Sequence, residues 1–243
     1  MSLLAEPEFQ GEASGYHNRN SPYLTTHPAF SVRRSRAIEI PRTPLSAFEQ
    51  AAKRVLDIVL ASLALMVLSP MMLLTALAIK LESPGPALFR QQRSGFNAKR
   101  FLIFKFRTMT VMEEGDNVIQ ATRHDPRVTG LGRLLRACSA DELPQLFNVL
   151  LGDMSLVGPR PHAVAHDSYY GKLLSDYASR HHVKPGITGW AQIQGCRGPT
   201  VQIELMKNRL DCDLWYIDNW SLALDLLILA GTVVELLRPR NAY

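Results

Sequence analysis

Val55 to Ile79 reads VLDIVLASLALMVLSPMMLLTALAI, with Asp57 as its single charge. The run exceeds the roughly 20 apolar residues that a bilayer span requires, so the chain carries a membrane element. Ser69-Pro70 falls near its middle. Proline lacks an amide donor and its ring clashes with the preceding turn, which predicts a kink or break and two half-helices rather than one rod. Lys53 and Arg54 stand before the run and Lys80 after it, and positive charge marks cytoplasmic ends. With both ends on that side, the run is a re-entrant hairpin dipping into one leaflet, and Ser69 hydrogen-bonds backbone carbonyls at the bend. A kinked spanning helix and a buried helix of a soluble core are the alternatives.

On the amino-terminal side, Met1 to Pro44 mixes Ser, Pro, Asn, Thr and Arg without period. This predicts a flexible cytoplasmic tail over residues 1–45 with no signal peptide, the folded part starting near Ser46. On the far side, Trp220 to Leu237 reads WSLALDLLILAGTVVELL. Asp225 and Glu235 interrupt it, and charge at bilayer depth is expensive. An interfacial amphipathic helix fits, with Trp215, Tyr216 and Trp220 at headgroup level; a plain core helix fits as well.

Between these segments, Ser83-Pro-Gly-Pro86 makes a turn. Ala87 to Arg90 and Arg100 to Arg107 then alternate like the strands of a small hairpin. Ser83 to Met112 contains no acid, while Arg90, Arg93, Lys99, Arg100, Lys105 and Arg107 supply positive charge. Such a patch suits phosphates or anionic headgroups, or simply a strand face lying on anionic lipid. By period-2 alternation Lys105 and Arg107 share a strand face, opposite Phe104 and Phe106. Basic residues among aromatics also bind single-stranded nucleic acid, but the apolar run argues against nucleic acid as a partner. Glu113 to His124 reads as a mobile loop, and Gly130-Leu-Gly132 opens a short helix through Arg136.

The 243 residues are 47% hydrophobic, enough for a packed core, and the net charge of +5 favours anionic partners. Cys138, Cys196 and Cys212 form no C-x-x-C pair, which fits a reducing compartment and excludes a zinc cluster.

Arg136-Ala-Cys-Ser-Ala-Asp141-Glu142-Leu-Pro144-Gln145 holds the candidate chemistry. A helix starting at Asp141 places Pro144 in the first turn, where its missing donor costs nothing, and makes Asp141 the cap. The same helix start attracts phosphate. Two adjacent carboxylates can hold a divalent cation shared with substrate phosphate, or one can attack phosphorus. On the local pattern alone, an acidic first turn without further role is the favoured reading. Downstream, Gly152-Asp-Met-Ser-Leu-Val-Gly-Pro-Arg160-Pro161 aims a guanidinium from a rigid turn. His162 and His166 have i, i+4 spacing but no evident third ligand, and Lys184-Pro-Gly-Ile-Thr-Gly-Trp190 is a constrained loop of open role.

KRVLDI, the Ser69-Pro70 break, SPGPALF, FKFRTM, DPRVTGLGRLLR, SADELPQLFNVLLGDMSLVGPRP and VKPGITGWAQIQG occur in that order from about Lys53 onward. The chain thereby resembles the bacterial sugar transferases of the monotopic phosphoglycosyltransferase type, in their short form. The resemblance implies an α/β fold of the α+β kind, mostly helical. It comprises a re-entrant membrane helix at 46–82 and a small cytoplasmic catalytic domain at 83–243 that ends in an interfacial helix. It implies Mg²⁺ as cofactor, a UDP-sugar and undecaprenyl phosphate as substrates, membrane lipids as surroundings, and a place on the cytoplasmic face of the bacterial inner membrane. A homo-oligomer stays compatible with it.

By the same resemblance Asp141 matches the nucleophile that holds the phosphosugar, and Glu142 its Mg²⁺-associated partner. Arg136, Arg160, Lys105 and Arg107 match basic positions near the phosphates. Ala140 departs from a usually larger apolar residue. The final third looks most like glucose 1-phosphate transferases acting in exopolysaccharide synthesis, with galactose-type members close. A catalytically idle scaffold or a metal-dependent phosphatase are the rival readings of the carboxylate pair.

Overall fold

The computed structural model describes residues 45–110, 125–196, 198 and 202–237, all within one contact unit, Pro41–Tyr243. The tail expected at the amino terminus and the loop expected at Glu113 to His124 lie outside the described residues.

Helix α1 (Ala47–Glu82) begins where Ser46 closes a capping box: the Glu49 amide donates to Ser46 Oγ and the Ser46 amide to Glu49 Oε2. Among the described residues α1 alone is long and apolar enough to cross a membrane. Instead of two half-helices, it runs without interruption through Pro70. Pro70 cannot donate to Met66 O, four residues back, but the Ser69 hydroxyl does so at 3.3 Å, which replaces the missing donor and lets the helix continue. The role expected of Ser69 is present, therefore, without the break.

Both ends of α1 are fastened to the same body. At the start, Asp57 accepts from Ser155 Oγ and the Leu156 amide, while Arg54 donates to the carbonyls of Val149 (2.5 Å) and Leu150 (2.8 Å). At the finish, Arg107 donates to the carbonyls of Pro84 (2.5 Å), Ser83 (2.7 Å) and Ile79 (3.3 Å). Between these ends Ala61 joins one core cluster and Met72 and Ile79 another, whereas Met66, Val67, Leu73 and Leu74 stay exposed.

Strands β1 (Leu88–Ser94) and β2 (Arg100–Phe106) form the expected antiparallel hairpin, with Phe89 opposite Lys105 and Arg93 opposite Phe101. Its turn uses left-handed Asn97 and Ala98. Helix α2 (Gly130–Ala137) starts on Thr129, whose side chain accepts from the Gly132 amide. Helix α3 (Gln145–Leu151) is pinned to β2 by Asn148, which accepts from the Phe104 amide at 2.9 Å and donates to Leu102 O at 2.7 Å.

Strands β3 (Ser155–Val157) and β4 (Gly186–Thr188) pair in parallel. They bring the two glycine-proline turns noted in the sequence back to back. A side chain on Gly158 or Gly186 would collide with the backbone of the other turn, so the close approach requires glycine at both. Helices α4 (Val164–Leu173), α5 (Trp190–Ile193), α6 (Ile203–Asp218) and α7 (Leu222–Leu237) complete the fold. It is the mixed helix and sheet arrangement expected, with helix dominant.

Helix α7 corrects two expectations. Asp225 does not face headgroups: it is buried and takes Lys53 Nζ at 2.5 Å, Tyr216 Oη at 2.7 Å and Trp220 Nε1 at 3.2 Å. Tyr216 and Trp220 are core residues rather than an aromatic belt. An isolated carboxylate in an apolar segment is stable when its charge is paired inside the protein, and Lys53, read from sequence as a flanking cation, is the partner. The exposed face of α7 is therefore apolar, carrying Leu226, Leu227, Val233 and Val234.

Candidate active site

Asp141 and Glu142 lie in a 3₁₀ turn, Ala140–Glu142, between α2 and α3. Asp141 does not cap α3: Pro144 occupies the cap position, and Ser139, in the left-handed region at φ 58°, redirects the chain out of α2. The Glu142 amide then bonds Ser139 O and the Leu143 amide bonds Ala140 O. These i→i+3 bonds consume the donors that a helix start would have offered to a phosphate.

The two carboxylates differ sharply in surroundings. Glu142 Oε1 takes Lys105 Nζ at 2.7 Å and also Arg160 Nη2, and Oε2 takes Arg160 Nη1 at 2.9 Å. Burial alone would raise the Glu142 carboxyl, but Arg160 and Lys105 outweigh it and hold the group well below the usual range. Arg160 is raised in turn by Glu142, while burial lowers Lys105 against the same partner.

Asp141 is 9% exposed and its carboxylate accepts no hydrogen bond among the described residues. Burial first, and then the Glu142 charge, push its pKa up, against the pull of Lys105, Arg160 and Arg136. One acid is thus clamped by two cations and the other is held beside it unbound.

Of the residues expected at the site, Asp141, Glu142, Lys105 and Arg160 are together. Arg136 bears on Asp141 by its charge while its Nε donates to Thr108 Oγ1 at 3.0 Å. Arg107 is elsewhere, capping the end of α1. Strand β2 stops at Phe106, so the alternation that put Lys105 and Arg107 on one face ends one residue too soon.

Arg93 was counted only within the basic stretch, yet it belongs to the site's field. Burial and then Arg160 bring it down to about 10, and its Nε is buried without a partner among the described residues. The hairpin register would have found it, because Arg93 and Lys105 share the face set by Phe101 and Phe89.

His162 does not pair with His166 as a metal ligand. It is buried, 2.7 Å from Tyr177 Oη and bonded to Arg180 Nη1, and burial together with the Arg180 and Arg209 charges keeps it well below its ordinary value. Arg180 also donates to Arg160 O and to Asp213, both at 2.8 Å, so this network sets the turn that presents Arg160. Trp190 stacks on Trp215 at 4.5 Å, which gives the constrained loop a packing role.

Among the described residues no three His, Cys, Asp or Glu side chains gather as a metal cage. A magnesium ion does not need one: it binds through one or two carboxylates and fills the remaining octahedral positions with water and substrate phosphate oxygens. Among the described residues nothing bonds the Asp141 oxygens, and Glu142 Oε2 accepts from Arg160 Nη1 alone, so a lone pair remains on it. The residues present fit the ion.

Fold and site together define a class, an anion-handling α+β unit built around one long apolar helix. More particularly, the chain belongs to the bacterial sugar transferase family, whose model matches residues 48–239. It is 58% identical over 191 residues to the UDP-glucose:undecaprenyl-phosphate glucose-1-phosphate transferase of Caulobacter vibrioides, covering 79% of this chain and 72% of that one. It is 53% identical over 201 residues to the protein of the same name in Escherichia coli, covering 83% of this chain and 43% of that one. A UDP-N-acetylgalactosamine-undecaprenyl-phosphate N-acetylgalactosaminephosphotransferase of Aeromonas hydrophila is 43% identical over 195 residues, covering 80% of this chain and 45% of that one. The matched region thus spans most of the Caulobacter relative and under half of the other two.

Proposed function

We propose that this chain transfers a hexose 1-phosphate, glucose 1-phosphate, from a UDP-sugar to undecaprenyl phosphate at the cytoplasmic face of the bacterial inner membrane. The observation that carries the reading is the asymmetry of the carboxylates: Glu142 is tied by Lys105 and Arg160 while Asp141, buried beside it, accepts no hydrogen bond among the described residues. A carboxylate not tied up in an ion pair keeps its lone pairs available to an electrophilic phosphorus.

An Asp141 oxygen attacks the sugar-proximal phosphorus. A P–O bond forms, the phosphoanhydride bond breaks, and UMP leaves with the electron pair. An oxygen of undecaprenyl phosphate then attacks the same phosphorus and frees the carboxylate. Lys105, Arg160, Arg136 and Arg93 surround the place where phosphate charge gathers, and preorganised charge of this kind supplies much of the catalysis in such transfers. Asp141 and the free lone pair of Glu142 would hold Mg²⁺, whose charge would offset that of the diphosphate.

Glucose is the sugar favoured, because the relatives sharing 58% and 53% identity carry glucose in their names. The Aeromonas relative makes an N-acetylgalactosamine donor the second reading. A screen of UMP release over UDP-glucose, UDP-galactose and UDP-N-acetylgalactosamine, with undecaprenyl phosphate present, decides between them. No release from any of the three refutes the transferase reading and leaves the scaffold. Phosphate release without the lipid points to a hydrolase.

The topology proposed is monotopic and re-entrant, with α1 bending at Pro70 while its backbone stays helical. Attachment of α1 to one body at Arg54 and Asp57 and again at Ile79 and Ser83 supports it, since a span that crossed the bilayer would carry one end away.

A further inference from the structure

Cys196 and Cys212 stand apart in sequence but not in space. Cys196 follows α5, its amide bonded to Ala191 O at 2.9 Å, and Cys212 lies in α6. Their sulfurs are 3.8 Å apart and both residues are half-buried. Arg209, on α6 one turn before Cys212, donates Nε to Cys196 O at 3.0 Å and Nη2 to Gly198 O at 2.6 Å. One guanidinium thus pins the Cys196 backbone against the helix that carries Cys212. Cys138 is exposed, and among the described residues its sulfur bonds only the carbonyls of Leu134 and Leu135 within its own turn.

We propose that Cys196 and Cys212 are a reversible oxidation site, a dithiol that closes to an intramolecular disulfide when a hydroperoxide reaches it. The two thiols have different parts to play. Contact with the Cys212 thiol, and then the Arg209 charge, bring Cys196 down to about 7, whereas the same contact pushes Cys212 up. A thiolate beside a cation is the reactive form of cysteine.

The Cys196 thiolate attacks one peroxide oxygen. An S–O bond forms, the O–O bond breaks, and the peroxide leaves as hydroxide, so that Cys196 is oxidised to the sulfenic acid and the peroxide reduced. The Cys212 sulfur then attacks the sulfenic sulfur, losing its proton. The S–S bond forms, the S–O bond breaks, and water departs. A dithiol at rest agrees with the reducing compartment that the cysteine usage implies, and the site responds when oxidant rises.

The site connects to the active site. Arg209 Nη1 is 3.4 Å from His162 Nε2, and His162 shares Arg180 with the carbonyl of Arg160. Drawing the sulfurs from 3.8 Å into bonding distance moves the Cys196 backbone toward α6 and disturbs the grip of Arg209.

The test uses the full chain in detergent, treated with hydrogen peroxide, quenched with iodoacetamide, digested and read by mass spectrometry. The expected result is loss of both alkylatable thiols together and a peptide joining Cys196 to Cys212, lighter than the two thiol peptides by the mass of two hydrogens. Dithiothreitol restores both thiols. Cys196→Ser abolishes the joined peptide and leaves Cys212 alkylatable, while Cys138→Ser leaves the joined peptide intact. Recovery of both thiols in alkylated form at doses that oxidise Cys138 overturns the proposal. So does oxidation of Cys196 to the sulfinic acid with no joined peptide, or a disulfide found only between chains through Cys138.

Discussion

Asp141→Asn keeps the shape of the side chain and removes its nucleophilic charge, so UMP release from UDP-glucose is expected to vanish while thermal stability in detergent holds or improves. It holds because an amide replaces a buried carboxylate whose charge burial opposes. Glu142→Gln leaves Lys105 and Arg160 facing an uncharged group, and transfer should fall by roughly 100-fold or more, the scale of losing one preorganised electrostatic contact. Arg107 behaves differently. Arg107→Met uncaps three carbonyls at the end of α1, which costs about 3 kcal/mol of stability; the KM for UDP-sugar should stay unchanged, and an increase in KM would return Arg107 to the phosphate site. At this scale the sequence named the acids and three of their cations. It misplaced Arg107, because where a strand ends depends on pairing with distant backbone. It passed over Arg93, because a register is invisible until the hairpin is closed.

The hairpin β1-β2, helix α2 and a folded start near Ser46 are local features and were legible, whereas the caps that make the helix starts, Thr129 and the Ser46-Glu49 box, emerged only from the structure. Strands β3 and β4 were not legible: each has three residues, and they exist only because two glycine turns meet from afar. The continuity of α1 was missed for a physical reason, since the hydroxyl before Pro70 serves the carbonyl that proline abandons. Pairing of the charges within the apolar segments was missed too. Asp225→Asn is expected to cost about 3–5 kcal/mol, because it strands a buried ammonium. Combining it with Lys53→Met should recover most of that loss in chemical denaturation; an additive double variant would mean that the two side chains do not form a pair.

For the molecule as a whole, pH acts through His162. Its folded pKa lies well below the ordinary 6.5, so the native state binds fewer protons than the unfolded one. The resulting stability is complete above about 6.5 and is lost as pH falls toward the folded value. His162→Gln should flatten the fall in melting temperature between pH 7.5 and 5.5. Topology has its own readout: single cysteines introduced before Lys53 and after Lys80 should both be labelled from the cytoplasmic side, and labelling from opposite sides would overturn the monotopic reading.

The buried pair of Lys53 and Asp225 also has a meaning in time. The two residues are 172 positions apart, and a ribosome delivers them in order. At about 5–20 residues per second, the lysine spends on the order of ten seconds or more without its acid. Helix α1 therefore leaves the ribosome well before its own ammonium can be neutralised, and the body that buries the pair closes only when nearly the whole chain has emerged. A nascent chain stalled before Asp225 should stay protease-sensitive around Lys53, and the full chain, stalled on a carboxyl-terminal linker long enough to fill the exit tunnel, should resist.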